Sequence, residues 1–286
     1  KTMKPLFNKA TNKAWSISQK GLTQMMSLEL PQQAVAKMTE GQHQETDQLR
    51  EWLSMMFNQR QPMSSSDGIA TVHAFGPMMS GASPIELAMG GTGYEEIIAD
   101  LQAANSDDSV KAIVIVSDTP GGMVDGIKEV NIAMDDSDKP IYGYNAGMAT
   151  SAGYHILAGT KLIAASPSST TGNIGCVLAW YDDSAFLESL GFKMEVMTNE
   201  GADLKGTFRD SPMTDSQREF LQDGLNVTGD EFFEYCAGFR SDLDPEVKRA
   251  GWYSPAQAAD MGLIDMVGSL SDFVGHIKES LDIGNN

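Results

Sequence analysis

A serine set among small residues could do acyl transfer if the rest of the chain supplies a base and an oxyanion site. Ser151 lies in Met148-Ala-Thr-Ser-Ala-Gly-Tyr154, a stretch of small residues. A hydroxyl is a weak nucleophile at neutral pH and needs a base beside it. Thirty residues earlier, Asp118-Thr-Pro-Gly-Gly-Met-Val124 places Gly121 and Gly122 directly after an apolar run. Such a turn leaves backbone N–H groups bare, and one of them could join the N–H of Ala152 in holding an oxyanion. Gly153 and the flanking alanines would keep room around the hydroxyl. Each stretch also fits a plainer role, as a closely packed helix start and as a strand-to-helix turn. The Gly-Gly turn matches the longer glycine-rich nucleotide loops poorly, which sets phosphate binding aside.

The base is sought first among histidines, of which there are four: His43, His73, His155 and His276. His155 follows Ser151 by four residues on the same predicted helix, so its ring would lie along that helix rather than across a cleft. No histidine occurs between 156 and 275, and a Ser-His-Asp triad is disfavoured. After Ser151 the lysines are Lys161, Lys193, Lys205, Lys248 and Lys278. Lys161 opens a predicted strand, Lys193 lies on the amphipathic segment FKMEVM, Lys248 in a polar segment and Lys278 in the terminal helix. Lys205 differs: it stands in the loop-like EGADLKGTFRDSPMT, between Gly201 and Gly206. A lysine acting as a base must be neutral, a state that burial favours.

These groups need a frame. From Gly68 onward the sequence alternates strand and helix. GIATVHAFGPM reads as a strand, and YEEIIADLQAANSD as a helix with Tyr94, Ile97, Ile98 and Leu101 on one face. VKAIVIVSDTPGG is an apolar β-branched run stopped by Pro-Gly-Gly, the pattern of a buried parallel strand. Helix GMVDGIKEVNIAMDD, strand KPIYGYNAG, helix TSAGYHILAGT and strand KLIAASP follow. The alternation predicts an α/β fold with a mainly parallel sheet. It also puts the Gly-Gly turn and Ser151 after two successive strands, at the edge where such sheets carry their sites. Beyond residue 212 a long helix with Ser/Thr/Asp capping signals is expected, then a short helix ended by Gly262 and a final short strand. Residues 22–60 are helix formers, with Leu49, Trp52, Leu53, Met56 and Phe57 on one face, and QPMSSSDG (61–68) reads as a linker. The chain thus divides into an N-terminal helical arm with linker, 1–62, and a main domain, 63–286.

With 41% hydrophobic residues the chain can bury a sizeable core. No apolar run reaches the ~18 residues of a membrane span, and the basic N-terminus lacks the apolar core of a secretory signal. Residues 1–60 carry eight Lys/Arg against five Asp/Glu, a balance of +3, while the rest carry twelve against thirty-four, a balance of −22. So acidic a body would be repelled by phosphate backbones, and no nucleic-acid or membrane partner is expected. The basic arm could instead dock on an acidic surface, including another copy of the body. Cys176 and Cys236 are too few and too far apart for a metal cluster and read as free thiols.

The order of motifs resembles one family. AIVIVSDTPGGMV, GMATSAGYHILAGTKLIAASPSSTTGNIGCV, LKGTFRDSPMT and YSPAQAADMGLID are similar to the signal peptide peptidase A family, and most of all to its bacteriophage head maturation proteases. The likeness runs from about Gly68 to Asp265, and KPLFNKATNKAWSISQKGLTQMM also looks like the start of the phage members. The resemblance implies a Clp protease/crotonase fold of repeated ββα units. It implies Ser151 as nucleophile, Lys205 as general base, and Gly121 and Gly122 in the oxyanion turn, with no metal or organic cofactor. It further implies a homo-oligomer whose dyad is completed on assembly. The substrates would be scaffold and capsid proteins, the chain itself among them, cut within an assembling prohead in the cytoplasm of an infected bacterium. Two positions depart from the pattern. Thr119 replaces a usual serine, and Asn173 stands where a serine can help orient the lysine, a task open to Asn173, Thr170 or Thr171. The alternatives are a host signal-peptide-degrading peptidase, a crotonase-like acyl-CoA enzyme, and a non-catalytic assembly protein on the same scaffold.

Overall fold

The computed structural model describes residues 15–17, 63–83, 86–87, 89–179, 182–205 and 213–283. The helices expected within 22–60 lie outside these residues. In chain order the elements are β1 (Trp15–Ile17), β2 (Ser64–Ser66), β3 (Ile69–Phe75), β4 (Met78–Met79), β5 (Thr92–Gly93), α1 (Tyr94–Ser106), β6 (Ala112–Thr119), β7 (Gly121–Met123), α2 (Ile127–Asp135), β8 (Ile141–Thr150), α3 (Ala152–Ala158), β9 (Ile163–Ala165) and β10 (Thr170–Gly172). Then come α4 (Ser184–Ser189), α5 (Asp215–Phe239), a 3₁₀ turn (Pro245–Arg249), β11 (Trp252–Tyr253), α6 (Pro255–Asp260), β12 (Met266–Val267) and α7 (Leu270–Ser280).

The main sheet runs β11-β10-β8-β6-β3-β2, and it is parallel from β10 to β3. β8 is long enough to share one edge between two partners: its first half pairs with β9 and its last three residues with β10. Both faces of this sheet are covered, which is why its strands read as unbroken apolar runs. On β6, Ile113 and Ile115 enter a core with Val72, Leu101, Val130, Leu157 and Phe232. Ala112, Val114 and Val116 point the other way, toward Tyr142, Tyr144 and Phe273 of α7. A smaller sheet, β1-β7-β4-β5, stands beside it.

Four local expectations change. The linker reading at 61–68 gives way to a hairpin: Ser64–Ser66 pairs antiparallel with Ile69, Ala70 and Thr71 around Asp67 and Gly68, both at positive φ. An Asp-Gly pair is the residue choice for such a tight turn. The helix after the Gly-Gly turn begins at Ile127 rather than at 122, because Gly121–Met123 is a strand and Gly126 turns the chain at φ 97°. FKMEVM, expected as a strand, has no ladder partner among the described residues and is irregular and exposed over 192–197. Its alternation is real, but no edge of this chain receives it. The short strands β10 and β11 were not anticipated.

The long C-terminal helix starts as expected, on a Thr214–Gln217 capping box in which Thr214 N–H donates to Gln217 Oε1 at 3.0 Å. Its far end is locked to β9. Arg240 donates twice to Asp265, at 2.6 and 3.0 Å, and Asp265 Oδ2 also accepts from Ile163 N–H at 2.7 Å. The Tyr154 hydroxyl, buried in α3, donates to Leu263 O at 3.0 Å and ties the same C-terminal segment to the helix that follows Ser151.

Candidate active site

The C-terminal ends of β3, β6, β8 and β10 meet at one place. There Gly76 N–H donates to Asp118 O at 3.0 Å, Thr150 Oγ1 donates to Thr119 O at 3.4 Å, and Ser151 N–H donates to Gly172 O at 2.8 Å. Ser151 is fully buried in the chain and sits as the N-cap of α3 with φ 58° and ψ −123°. That is the conformation of the first central residue in a type II′ turn, a place for glycine. A side chain held there costs on the order of 1–3 kcal/mol, so the surroundings must enforce it. The bond to Gly172 and the bond from His155 N–H to Ser151 O, at 2.9 Å, do so. The hydroxyl donates to Gly175 O at 3.5 Å.

The glycines of the turn have separate reasons. Gly121 has φ 107°, a backbone that L side chains rarely adopt. At Gly122 a Cβ would lie 2.1 Å from Met78 O, so only glycine lets β7 approach β4. Thr119 fastens the turn: its hydroxyl donates to Gly76 O and accepts from Gly121 N–H at 3.0 Å. Thr119 thereby engages the Gly121 N–H. From α1, the buried Tyr94 hydroxyl donates to Met123 O at 2.7 Å and holds the end of β7. Burial pushes that phenol well above its ordinary range, with Asp125 adding to the effect.

Gly153 does the reverse of keeping space open. A Cβ there would lie 2.4 Å from the Thr119 Cγ2, so the glycine lets α3 press against the end of β6. This contact brings Ser151 and Ala152, the first residue of α3, up to the Gly-Gly turn. Four expected site residues, Ser151, Ala152, Gly121 and Gly122, are therefore brought together.

Lys205 is placed otherwise. It sits on an exposed turn, its N–H donating to Ala202 O at 3.1 Å, and its ammonium makes no hydrogen bond or ion pair among the described residues. Buried Gln217 fastens this loop to the start of α5 by donating to Asp203 O at 3.1 Å. Asn173, at φ 58°, donates from its side chain to Ala250 O at 2.8 Å. Thr171 is buried, and its hydroxyl accepts from Asn145 Nδ2 at 2.9 Å. Asn173 is thus bonded to the residue that caps the 3₁₀ turn and Thr171 to β8, and neither has a hydrogen bond to Lys205.

A cleft of about 680 Å³ lies along α2, α3 and α5, lined among others by Val124, Asn131, His155, Cys176 and Tyr235. It adjoins the serine: Cys176 follows Gly175, and His155 is one turn past Ser151. His155 stacks on Tyr235 with centroids 4.2 Å apart and its Nε2 is 2.9 Å from Asn131 Nδ2. Burial, with Lys128 second, pulls its pKa down to about 3. The imidazole is neutral and committed to this aromatic wall, in keeping with the reading that it is not the base. Both cysteines are free, Cys236 buried and Cys176 partly so, and burial raises the Cys176 thiol to about 11. Among the described residues no group of three or more His, Cys, Asp or Glu could hold a metal ion, and no helix is long and apolar enough to cross a membrane.

Sequence reasoning missed the hydroxyls of Thr119 and Tyr94 and the packing role of Gly153. The Thr-Pro-Gly-Gly spacing was the available signal for the first. Nothing local in the sequence pointed to the Tyr94 bond, which spans 29 residues.

The frame and the serine-bearing turn define a Clp protease/crotonase-type fold, and a Clp protease family model matches residues 86–170. The model of peptidase family S49 matches residues 133–284, more than half of the chain, and the chain belongs to this family. It is similar to capsid assembly protease C of Escherichia phage lambda, with 30% identity over 221 residues that cover 76% of this chain and 50% of that protein. Protease 4 of Salmonella typhi is 28% identical over 232 residues, 78% of this chain and 36% of the relative. A putative signal peptide peptidase SppA of Enterococcus faecium is 26% identical over 197 residues, 65% of this chain and 56% of the relative. The chain therefore matches about half or less of the lambda and Salmonella proteins. The family expected from the four motifs is the family found.

Proposed function

We propose that the protein is a serine endopeptidase in which Ser151 is the nucleophile and Lys205 the general base. The observation that carries this reading is the strained backbone of Ser151 beside the Gly121–Gly122 turn. Neutral Lys205 takes the hydroxyl proton as Oγ attacks the scissile carbonyl. The N–H groups of Gly122 and Ala152 receive the oxyanion, Gly121 N–H being engaged by Thr119. Collapse of the tetrahedral species breaks the C–N bond, and the lysine ammonium returns its proton to the leaving amine. Water, activated by the same lysine, then hydrolyses the acyl-enzyme and frees Ser151.

In the proposal the lysine reaches the serine when copies of the chain assemble. The segment that carries it is exposed and apolar: Phe192 is 66% and Met197 95% accessible, and Phe186, Leu190, Met194 and Val196 are also exposed. Exposed apolar side chains of this number suit a protein interface, and covering them would supply the dry setting that a neutral lysine requires. Asn173 and Thr171 are candidates to orient the lysine there. The small and apolar residues around Ser151 favour small or apolar side chains near the cut. By analogy with the lambda relative, the substrates are scaffold and capsid proteins of an assembling prohead within an infected bacterium.

The test is labelling by a serine-directed fluorophosphonate, mapped by mass spectrometry, with hydrolysis of a quenched peptide alongside. Labelling at Ser151 that disappears in Lys205→Ala is expected. Undiminished peptide cleavage by Ser151→Ala or Lys205→Ala would overturn the dyad.

A further inference from the structure

The strand that bears the oxyanion turn already has a peptide on it. β7 has two edges. One is filled from within the smaller sheet, where Met78 of β4 pairs with Gly122 in parallel. The other is held by β1, antiparallel, with Trp15 opposite Met123, Ser16 opposite Gly122 and Ile17 opposite Gly121. A substrate whose carbonyl oxygen is to rest on the Gly122 N–H must run as an extended strand along β7, since main-chain pairing is how a sheet edge takes a peptide. The β4 edge is closed to it, so the edge it needs is the one β1 occupies.

We propose that Trp15–Ile17 is a resident occupant of the peptide-binding edge and that substrates must displace it. The inference rests on the serine peptidase reading given above. Register supports it: Ser16 stands across from the glycine proposed to receive the oxyanion, and its neighbours run on along β7 in both directions. Length supports it as well. A three-residue pairing is marginal by itself, so it can leave. Its tether to the same chain keeps its effective concentration in the millimolar range when it does. Charge favours return, because residues 1–60 carry a balance of +3 and the rest of the chain −22.

The experiment uses the full chain with Ser16→Pro and, separately, Ile17→Pro. Bonded and non-bonded pairs alternate along an antiparallel ladder, so one of the two removes a ladder donor. Four quantities are read: KM and kcat for a quenched peptide, Ser151 labelling by a small fluorophosphonate, and amide hydrogen exchange over 121–124. In at least one variant KM should fall about tenfold, with kcat and labelling within about twofold of the wild type and faster exchange at β7. Faster exchange with unchanged KM would show a strand that binds without competing, and would overturn the proposal. Exchange at β7 unchanged in both variants would overturn the pairing itself. Absence of Ser151 labelling in every form, with β7 exchange still altered, would instead sink the peptidase reading on which the proposal depends.

Discussion

Ser151 and Lys205 occupy opposite kinds of environment. The serine is buried at the meeting point of four parallel strands, its backbone fixed by bonds to Gly172 and from His155. The lysine is exposed on a turn, a few residues past an exposed segment that has no strand partner among the described residues. On the proposed reading, one chain completes the nucleophile and its oxyanion turn and leaves the base on an exposed turn. The difference teaches where control of timing would reside in the proposed dyad: one half is built by folding, and the other would be completed by a partner surface.

The sharpest way to break this contrast is to remove each group and measure activity and stability together. Ser151→Gly and Lys205→Ala should each lower peptide hydrolysis by about 10³-fold or more. Their stabilities should diverge. Glycine relieves the positive φ at 151 and should raise the unfolding free energy by about 1 kcal/mol in urea titrations. Lys205→Ala should stay within about 0.5 kcal/mol, as an exposed substitution. A large loss of stability at 205 would mean that the lysine is already structural within one chain.

Next in size is the apolar segment. Met197→Asp combined with Phe192→Asp should cut activity at least about thirtyfold if these residues anchor an interface, and light scattering should show smaller species. The urea midpoint of the dissociated chain should not move. Wild-type activity with an unchanged mass would remove the partner from the account.

On the rigid side, Gly153→Ala should cost about 1–3 kcal/mol, because its Cβ meets the Thr119 methyl. Thr119→Ser deletes that methyl and keeps the hydroxyl that bonds Gly76 and Gly121, so the double variant should recover most of the loss. Additive costs would place the strain elsewhere.

The smallest effect concerns pH. The His155 pKa is depressed to about 3 in the folded chain, so the unfolded chain binds more protons between about pH 6.5 and 3. This histidine therefore contributes stability that is present above pH 6.5 and lost as pH falls, at up to about 1.4 kcal/mol per unit. His155→Phe should flatten the slope of unfolding free energy over pH 4–6.5 by a measurable part of that amount. An unchanged slope would show that the imidazole is not buried neutral.

The sequence made the rigid half legible and the open half only in part. Unbroken runs such as AIVIV report that both faces of a strand are covered, and β6 and β8 were readable for that reason. Ser151 was readable as the start of a helix after a strand. Gly121 and Gly122, read as a strand-to-helix turn, instead open a further strand whose close approach to β4 no local pattern shows. FKMEVM reads equally well as a strand, but alternation encodes a buried face and an exposed one, never the partner. The pairs β10–β11 and β2–β3 rest on two or three residues each, too few to show a period. The Tyr94 bond to Met123 and the Arg240–Asp265 clamp depend on tertiary proximity that no local pattern carries.

Tyr154 and Asp265 also set an order in biosynthesis. The helix that follows Ser151 is held by Leu263, and β9 by Asp265, both more than a hundred residues downstream. A nascent chain lacks these anchors for on the order of 5–20 s after Tyr154 is added, at 5–20 residues per second. Ser151 is thus translated well before the contacts that seat its helix exist.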